Sequence, residues 1–412
     1  MYRQEARMKK ICMYTPSSDG GMAQYAWELM TALTSQGKGE YEFELVTGED
    51  VKEQFKSDEY TVHNILPRLR HRSEFSNKLT WVASRLTHYP RRERFFLKWL
   101  AQQHDIEGVH FQEWTPWLAA GMFRRIRKMG KKIYYTVHNV VPHHYPPMLP
   151  KAVMDGWIRK ACRLSDGLFV HTDRLAEQLS RYLGENHPPI QVVPHGVWTV
   201  RNSAAMPSLE ERLKWKKLLF FGSIRRNKGL DLLLNAAERL AGYTITIAGE
   251  PQERQYYETE ILPQIARLKT AGVKMDLRPG FTPDDQVGAL FASHSAVVLP
   301  YTKGFVAQSG VIFMALAHEL PVVASEAGGM KDLFKEFKVG VTFENSTPED
   351  LAAAVMSLHG GDDRQEIIAQ IRAAKRRLSW DHSARATIAG YEMAYERRRE
   401  ADACAVETTP AL

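Results

Sequence analysis

Cysteine is scarce in this chain, three in 412 residues. Cys12, Cys162 and Cys404 lie far apart and form no metal-ligand spacing, so reduced thiols in a cytoplasmic protein are expected. Long apolar runs are missing too. None reaches the ~20 residues that cross a bilayer. The basic opening MYRQEARMKKICMYTPSSDGG has too short an apolar stretch for a signal peptide. Short internal repeats are absent, which argues against a repeat architecture. Nor is the chain poor in hydrophobic residues. At 44% hydrophobic and 25% charged it has the composition of a folded globular protein. Its length is too great for one core, and two domains are expected.

The net charge of +7 is unevenly spread. Residues 66–100 hold nine lysines and arginines against Glu74 and Glu93, interleaved with Trp81, Phe95, Phe96 and Trp99. Such a mixture suits an anionic surface, either lipid headgroups or a phosphorylated acceptor. It suits equally the outer face of a helical pair. Nucleic acid is the least favoured partner.

Apolar runs alternate with helical patterns along the whole chain. KKICMYTP, YEFELVTG, IEGVHFQ, KKIYYTVHN and SDGLFVHT read as strands in the first half. KLLFFGS, YTITIAGE, VKMDLRPG, SAVVLPY and LPVVASEAGG read as strands in the second. Such alternation means parallel sheets covered on both faces. The Ser- and Pro-rich stretch after Val197 reads as a linker. The expectation is a first domain over 1–205, a second over 206–378, a helical segment over 379–400 and a disordered tail over 401–412. Two doubly wound halves with a cleft between them would bind ligands at the carboxyl ends of their strands.

The stretch FFGSIRRNKGLDLLL, from Phe220 to Leu234, carries the clearest chemistry. Gly222 turns the chain after a strand, and Arg225 and Lys228 follow just before a helix. Amides and the dipole at a helix start favour anions, and the two cations reinforce them. A second helix start, at Gln308, Ser309 and Gly310, offers further amides, and a strand nearby ends at Glu326. Two such ends in one domain suit a diphosphate. In the first half, Gly20 and Gly21 permit close backbone approach at a strand-to-helix turn. His138 sits at a strand's carboxyl end. His143 and His144 follow it, but the spacing fits no usual zinc site, and no metal is expected.

These pieces, with VVPHGV, FTPDDQVGALFASHSAVVLPY, QSGVIFMALAHELPVVASEAGGMKDL and LSWDHSARATIAGYE, resemble a family-4 retaining nucleotide-sugar glycosyltransferase over roughly Lys9–Glu396. The resemblance implies an α/β GT-B fold, two Rossmann-like domains facing across a cleft, with a tail from Trp380 returning to the first. The first would take a glycan or lipid-linked acceptor and the second a UDP- or GDP-sugar, with no permanently bound cofactor. Arg225 and Lys228 match the pair that holds the donor pyrophosphate. His138 matches the histidine facing the donor sugar, and Gly20 and Gly21 match the loop over the phosphates. One departure stands out. Val306 and Met314 occupy positions where the family usually has two glutamates. The turn around Gln308 resembles a branch that lacks both.

An active transferase in cell-surface or exopolysaccharide assembly is therefore expected, in the cytoplasm or at the inner membrane face. A sugar-nucleotide epimerase and a non-catalytic binding protein are the alternatives.

Overall fold

The computed structural model describes residues 8–70, 74–140, 150–200, 207–305, 309–344 and 347–407. Met1–His195 together with Trp380–Leu412 make one compact unit, and Gly196–Ser379 makes another. Each is built on its own parallel sheet.

The first sheet contains β1 (Lys9–Tyr14), β2 (Tyr41–Gly48), β3 (Thr61–Leu66), β4 (Ile106–Phe111), β5 (Lys132–Thr136), β6 (Gly167–Val170) and β7 (Ile190–Val192), in the order β3-β2-β1-β4-β5-β6-β7. The second contains β8 (Lys217–Phe221), β9 (Thr244–Gly249), β10 (Lys274–Pro279), β11 (Ala296–Leu299), β12 (Val322–Ser325) and β13 (Gly340–Phe343), in the order β10-β9-β8-β11-β12-β13. Central strands such as AVVL and VVAS are buried along their whole length. Burial on both faces is why they read as unbroken apolar runs. Strand order reverses between β1 and β4 in one sheet and between β8 and β11 in the other. Loops leaving those strands bound the crevice where open α/β sheets bind ligands.

Three strands fall outside the apolar alternation. β3, TVHNIL, is an edge strand with mostly half-exposed residues, and His63 on it contacts Glu44 of β2 at 2.9 Å. β7 has only three residues, and β13 opens on a glycine.

The helix Trp380–Glu407 belongs to the first unit. It packs on helix α1 (Gly20–Gln36) and on β6 and β7. Gly390 permits this approach, since a Cβ there would lie 2.4 Å from the Phe169 ring. Tyr391, wholly buried, shares a 2.6 Å hydrogen bond with His110 Nδ1, and Lys9 pairs with Glu392 at 2.8 Å. The helix runs past Arg399 to Glu407.

The basic segment 66–100 is also corrected. In place of a helical pair it forms one helix, α2 (Lys78–Leu100), that continues through Pro90. Arg92, Glu93, Phe96, Leu97 and Leu100 are buried, while Leu79, Leu86, Arg91, Arg94, Phe95 and Lys98 are exposed. Residues 71–73, including Arg72, lie outside the described residues.

Candidate active site

In the second unit the chain leaves β8 at Gly222, where φ is +110°. A Cβ there would sit 3.5 Å from Val311 Cγ2, so this turn lies against the first turn of the helix Gly310–Ala317. The chain then makes a short 3-10 turn over Arg226–Lys228 and enters the helix Leu230–Ala236 through Gly229. Gly229 has φ +63°, and a Cβ on it would fall 1.9 Å from the Pro300 carbonyl oxygen. Only glycine lets the basic turn close on the loop after β11. The Thr302 N–H donates to Asn227 O at 3.1 Å and secures the same contact.

This closure sets the position of Lys228. Its ammonium lies 3.8 Å from the centre of the Tyr301 ring and 4.1 Å from that of Phe305. Burial, with the like charge of Arg225, pushes its pKa down to about 7. Arg225 donates to the Gln252 side chain, and Arg226 pairs with Glu260. Among the described residues, neither Arg225 nor Lys228 has a carboxylate within salt-bridge distance. A half-buried cation without an anion is costly unless a ligand provides one.

The same loop meets the second helix start. Tyr301 O–H and Ser309 Oγ are 3.0 Å apart, and Ser325 Oγ donates to Tyr301 O at 2.6 Å. Trp198 Nε1 donates to Gly310 O at 2.9 Å. First-turn amides of a helix lack intrahelical acceptors, and this helix begins beside the Gly222 turn through Val311 Cγ2. Glu326 follows β12, and its carboxylate accepts from Lys331. Gln308 and Val306 lie outside the described residues.

In the first unit Gly20, with φ +72°, and Gly21 open helix α1. A Cβ on either would meet nothing within 4 Å, so the backbone there faces open space. The loop before them is held by Arg92 Nη2 donating to Pro16 O at 2.7 Å and by Ser17 N–H donating to Glu113 Oε2 at 3.2 Å.

His138 follows β5 and does not stand alone. Its Nδ1 is 2.9 Å from His171 Nε2, and its Nε2 is 3.3 Å from the Gln112 amide. His171 Nδ1 is 3.0 Å from Val193 O. A carbonyl only accepts, so His171 Nδ1 carries its proton. Burial holds both rings neutral, with His171 pushed down to about 4 and His138 well below its usual value. Neutral His171 therefore accepts at Nε2, and His138 donates from Nδ1. That leaves His138 Nε2 without a proton, 3.3 Å from Gln112 Oε1, while the Gln112 NH2 donates to Met13 Sδ at 2.9 Å. The Tyr25 ring packs edge-on against His138 at 5.0 Å and His195 at 5.2 Å, and Trp380 at 5.2 Å. Among the described residues no group of three or more His, Cys, Asp or Glu is arranged to hold a metal. His143 and His144 lie outside the described residues.

The family model for Glycosyltransferase Family 4 matches residues 19–201, and that for Glycosyl transferases group 1 matches 215–360. The chain belongs to the family-4 glycosyltransferases. This glycosyltransferase is 26% identical over 242 residues to D-inositol 3-phosphate glycosyltransferase of Rhodococcus jostii (strain RHA1), covering 56% of this chain but 53%, about half, of that relative's length. It is 27% identical over 359 residues to 2-deoxystreptamine glucosyltransferase of Streptomyces kanamyceticus, covering 81% and 88% of the two chains. Among solved structures, Anabaena HepE in complex with UDP and glucose superposes with a TM-score of 0.65 at 16% identity over 92% of this chain and 98% of that one. The likeness is one of fold, GT-B.

The structure thus groups Gly222, Arg225, Lys228, Ser309 and Gly310 at the switch point of the second sheet. Glu326 joins them only through its neighbour Ser325. Gly20, Gly21 and His138 belong to the first unit. Tyr301, Phe305, His171 and Gln112 are additions that the motif reading passed over. Tyr301 and Phe305 sit in LPYTKGF, where two rings flanking a strand-end turn were the available signal.

Proposed function

We propose that this glycosyltransferase moves a sugar from a nucleoside diphosphate donor, UDP- or GDP-linked, to an acceptor hydroxyl with retention of configuration. Lys228 carries the reading: a half-buried ammonium at a sheet switch point, beside Arg225 and a helix start, without a carboxylate partner among the described residues. A pyrophosphate supplies the missing anion. As the glycosidic bond breaks, charge grows on the leaving phosphate, and preset cations and amides stabilise it. That phosphate then takes the acceptor's proton, so no carboxylate nucleophile is needed. This accommodates Val306 and Met314 in place of the family's glutamates. His138, held neutral at the carboxyl end of β5, orients the donor sugar. Its neutral state favours orienting the sugar over stabilising positive charge.

Lys228→Ala should lower kcat by about 10²–10³-fold and weaken UDP or GDP binding. Wild-type turnover by this variant in a sugar-nucleotide panel would sink the assignment. His138→Ala should reduce turnover with donor binding kept.

We also assign the exposed face of α2 to an anionic lipid surface, where a lipid-linked acceptor would lie. Leu79, Leu86 and Phe95 emerge beside Arg91, Arg94 and Lys98, the mixture that interfacial helices present. The protein should float with phosphatidylserine liposomes at low salt and lose them at high salt. No flotation at low salt removes the idea. No helix among the described residues is long and apolar enough to cross a membrane.

A further inference from the structure

The first unit holds a cavity of about 520 Å³ at the carboxyl ends of β1 and β4, beside the loop that leads to Gly20. It lies at that sheet's switch point. Its wall comes partly from α2, through Arg85 and Arg92, and partly from the segment after β4, where Trp114 and Trp117 sit. Trp117 is 39% exposed. The charged groups are Asp19, Asp50, Glu93 and Glu113 against Arg85 and Arg92.

Those charges are not equally committed. Arg92 donates to Pro16 O, and Glu113 accepts from Ser17, so both hold the loop. Arg85 donates to Arg70 O at 3.0 Å and lies over the Trp81 and Tyr89 rings. Glu93 is different. It is 8% exposed, and its Oε1 is buried without a hydrogen-bond partner among the described residues. An unsatisfied buried carboxyl costs stability and calls for a partner.

We propose that this cavity receives a hydroxyl-rich ring without phosphate, a neutral or amino-substituted sugar or cyclitol, which hydrogen-bonds Glu93 and lies against Trp117. The proposal rests on the transferase reading, in which the ring is the acceptor. The carboxylates of Asp19 and Asp50 oppose a phosphate. Arg85 donates to Arg70 O and Arg92 Nη2 to Pro16 O, while Arg92 Nε is a buried donor without a partner among the described residues, suited to a ring hydroxyl. Aromatic faces beside polar groups suit the alternating C–H and O–H surface of such a ring. Burial pushes Glu93 up to about 8, with Arg125 pulling the other way. At neutral pH the carboxyl thus both donates and accepts, which matches a hydroxyl. An arriving ammonium displaces the proton and pairs with the carboxylate.

The test is ligand-observed NMR and calorimetry on the full chain without donor, using glucose, glucosamine and glucose 6-phosphate as probes. Glucose and glucosamine should bind, with glucose 6-phosphate weaker on the order of 10-fold. Trp117→Ala should weaken glucose roughly 3–10-fold, and Glu93→Gln should weaken glucosamine more than glucose. Tightest binding of the phosphate, binding of none of the three, or equal response of glucose and glucosamine to Glu93→Gln would overturn the proposal. Lys228→Ala in the same assay separates the two readings. It should lose UDP and keep the sugars, so failure in one leaves the other standing.

Discussion

Lys228 is poised to change its charge near neutral pH. Its pKa is down at about 7 because it is buried beside Arg225. A bound diphosphate favours the charged form and raises that value. Donor binding at pH 8 should therefore take up a proton. Affinity should fall as pH rises above 7, since the free enzyme then loses the cation. Calorimetry in buffers of different ionisation enthalpy measures the uptake, and Lys228→Met should abolish it. Gly229 makes a separate prediction. Alanine there meets Pro300 O and adopts a left-handed conformation costing about 1–2 kcal/mol before any clash is counted. Gly229→Ala should thus lower stability by at least that much in urea titrations and weaken nucleotide binding. Arg225 and Lys228 were legible because strand, glycine, cations and helix follow one another in sequence. The rings around Lys228 were not, because they come from another strand end, brought near only by sheet order.

At the scale of elements, strands buried on both faces announced themselves as apolar runs. β3 and β7 did not, one being a polar edge and the other three residues long. Helix α2 shows a second limit. Its charge is plain in sequence, but Arg92 and Glu93 turn inward beside Phe96, and only packing decides which cations meet solvent. The C-terminal helix was legible chiefly through resemblance. Its anchoring is testable at Tyr391. Tyr391→Phe removes the hydroxyl from His110 Nδ1 and leaves a buried polar atom unmatched, at a cost of about 1–3 kcal/mol. Chemical denaturation should record that loss with UDP binding unchanged, because the change lies in the first unit. Equal stability of the variant would mean His110 finds another partner.

Across the whole molecule the two units differ in how the chain builds them. The second is one continuous stretch, Gly196–Ser379, with its own sheet and core. Expressed alone, it should melt cooperatively and retain nucleotide binding. The first is discontinuous and should not fold stably from Met1–His195 alone, since Gly390, Tyr391 and Glu392 complete its packing.

This arrangement bears on how the protein is made. The ribosome releases β6, β7 and α1 early, yet their cover arrives last. At about 5–20 residues per second, the nascent first unit waits on the order of ten seconds or more with Phe169 uncovered while the whole second unit emerges. A stop codon at Trp380 would spare the second unit and leave its companion a client for chaperones.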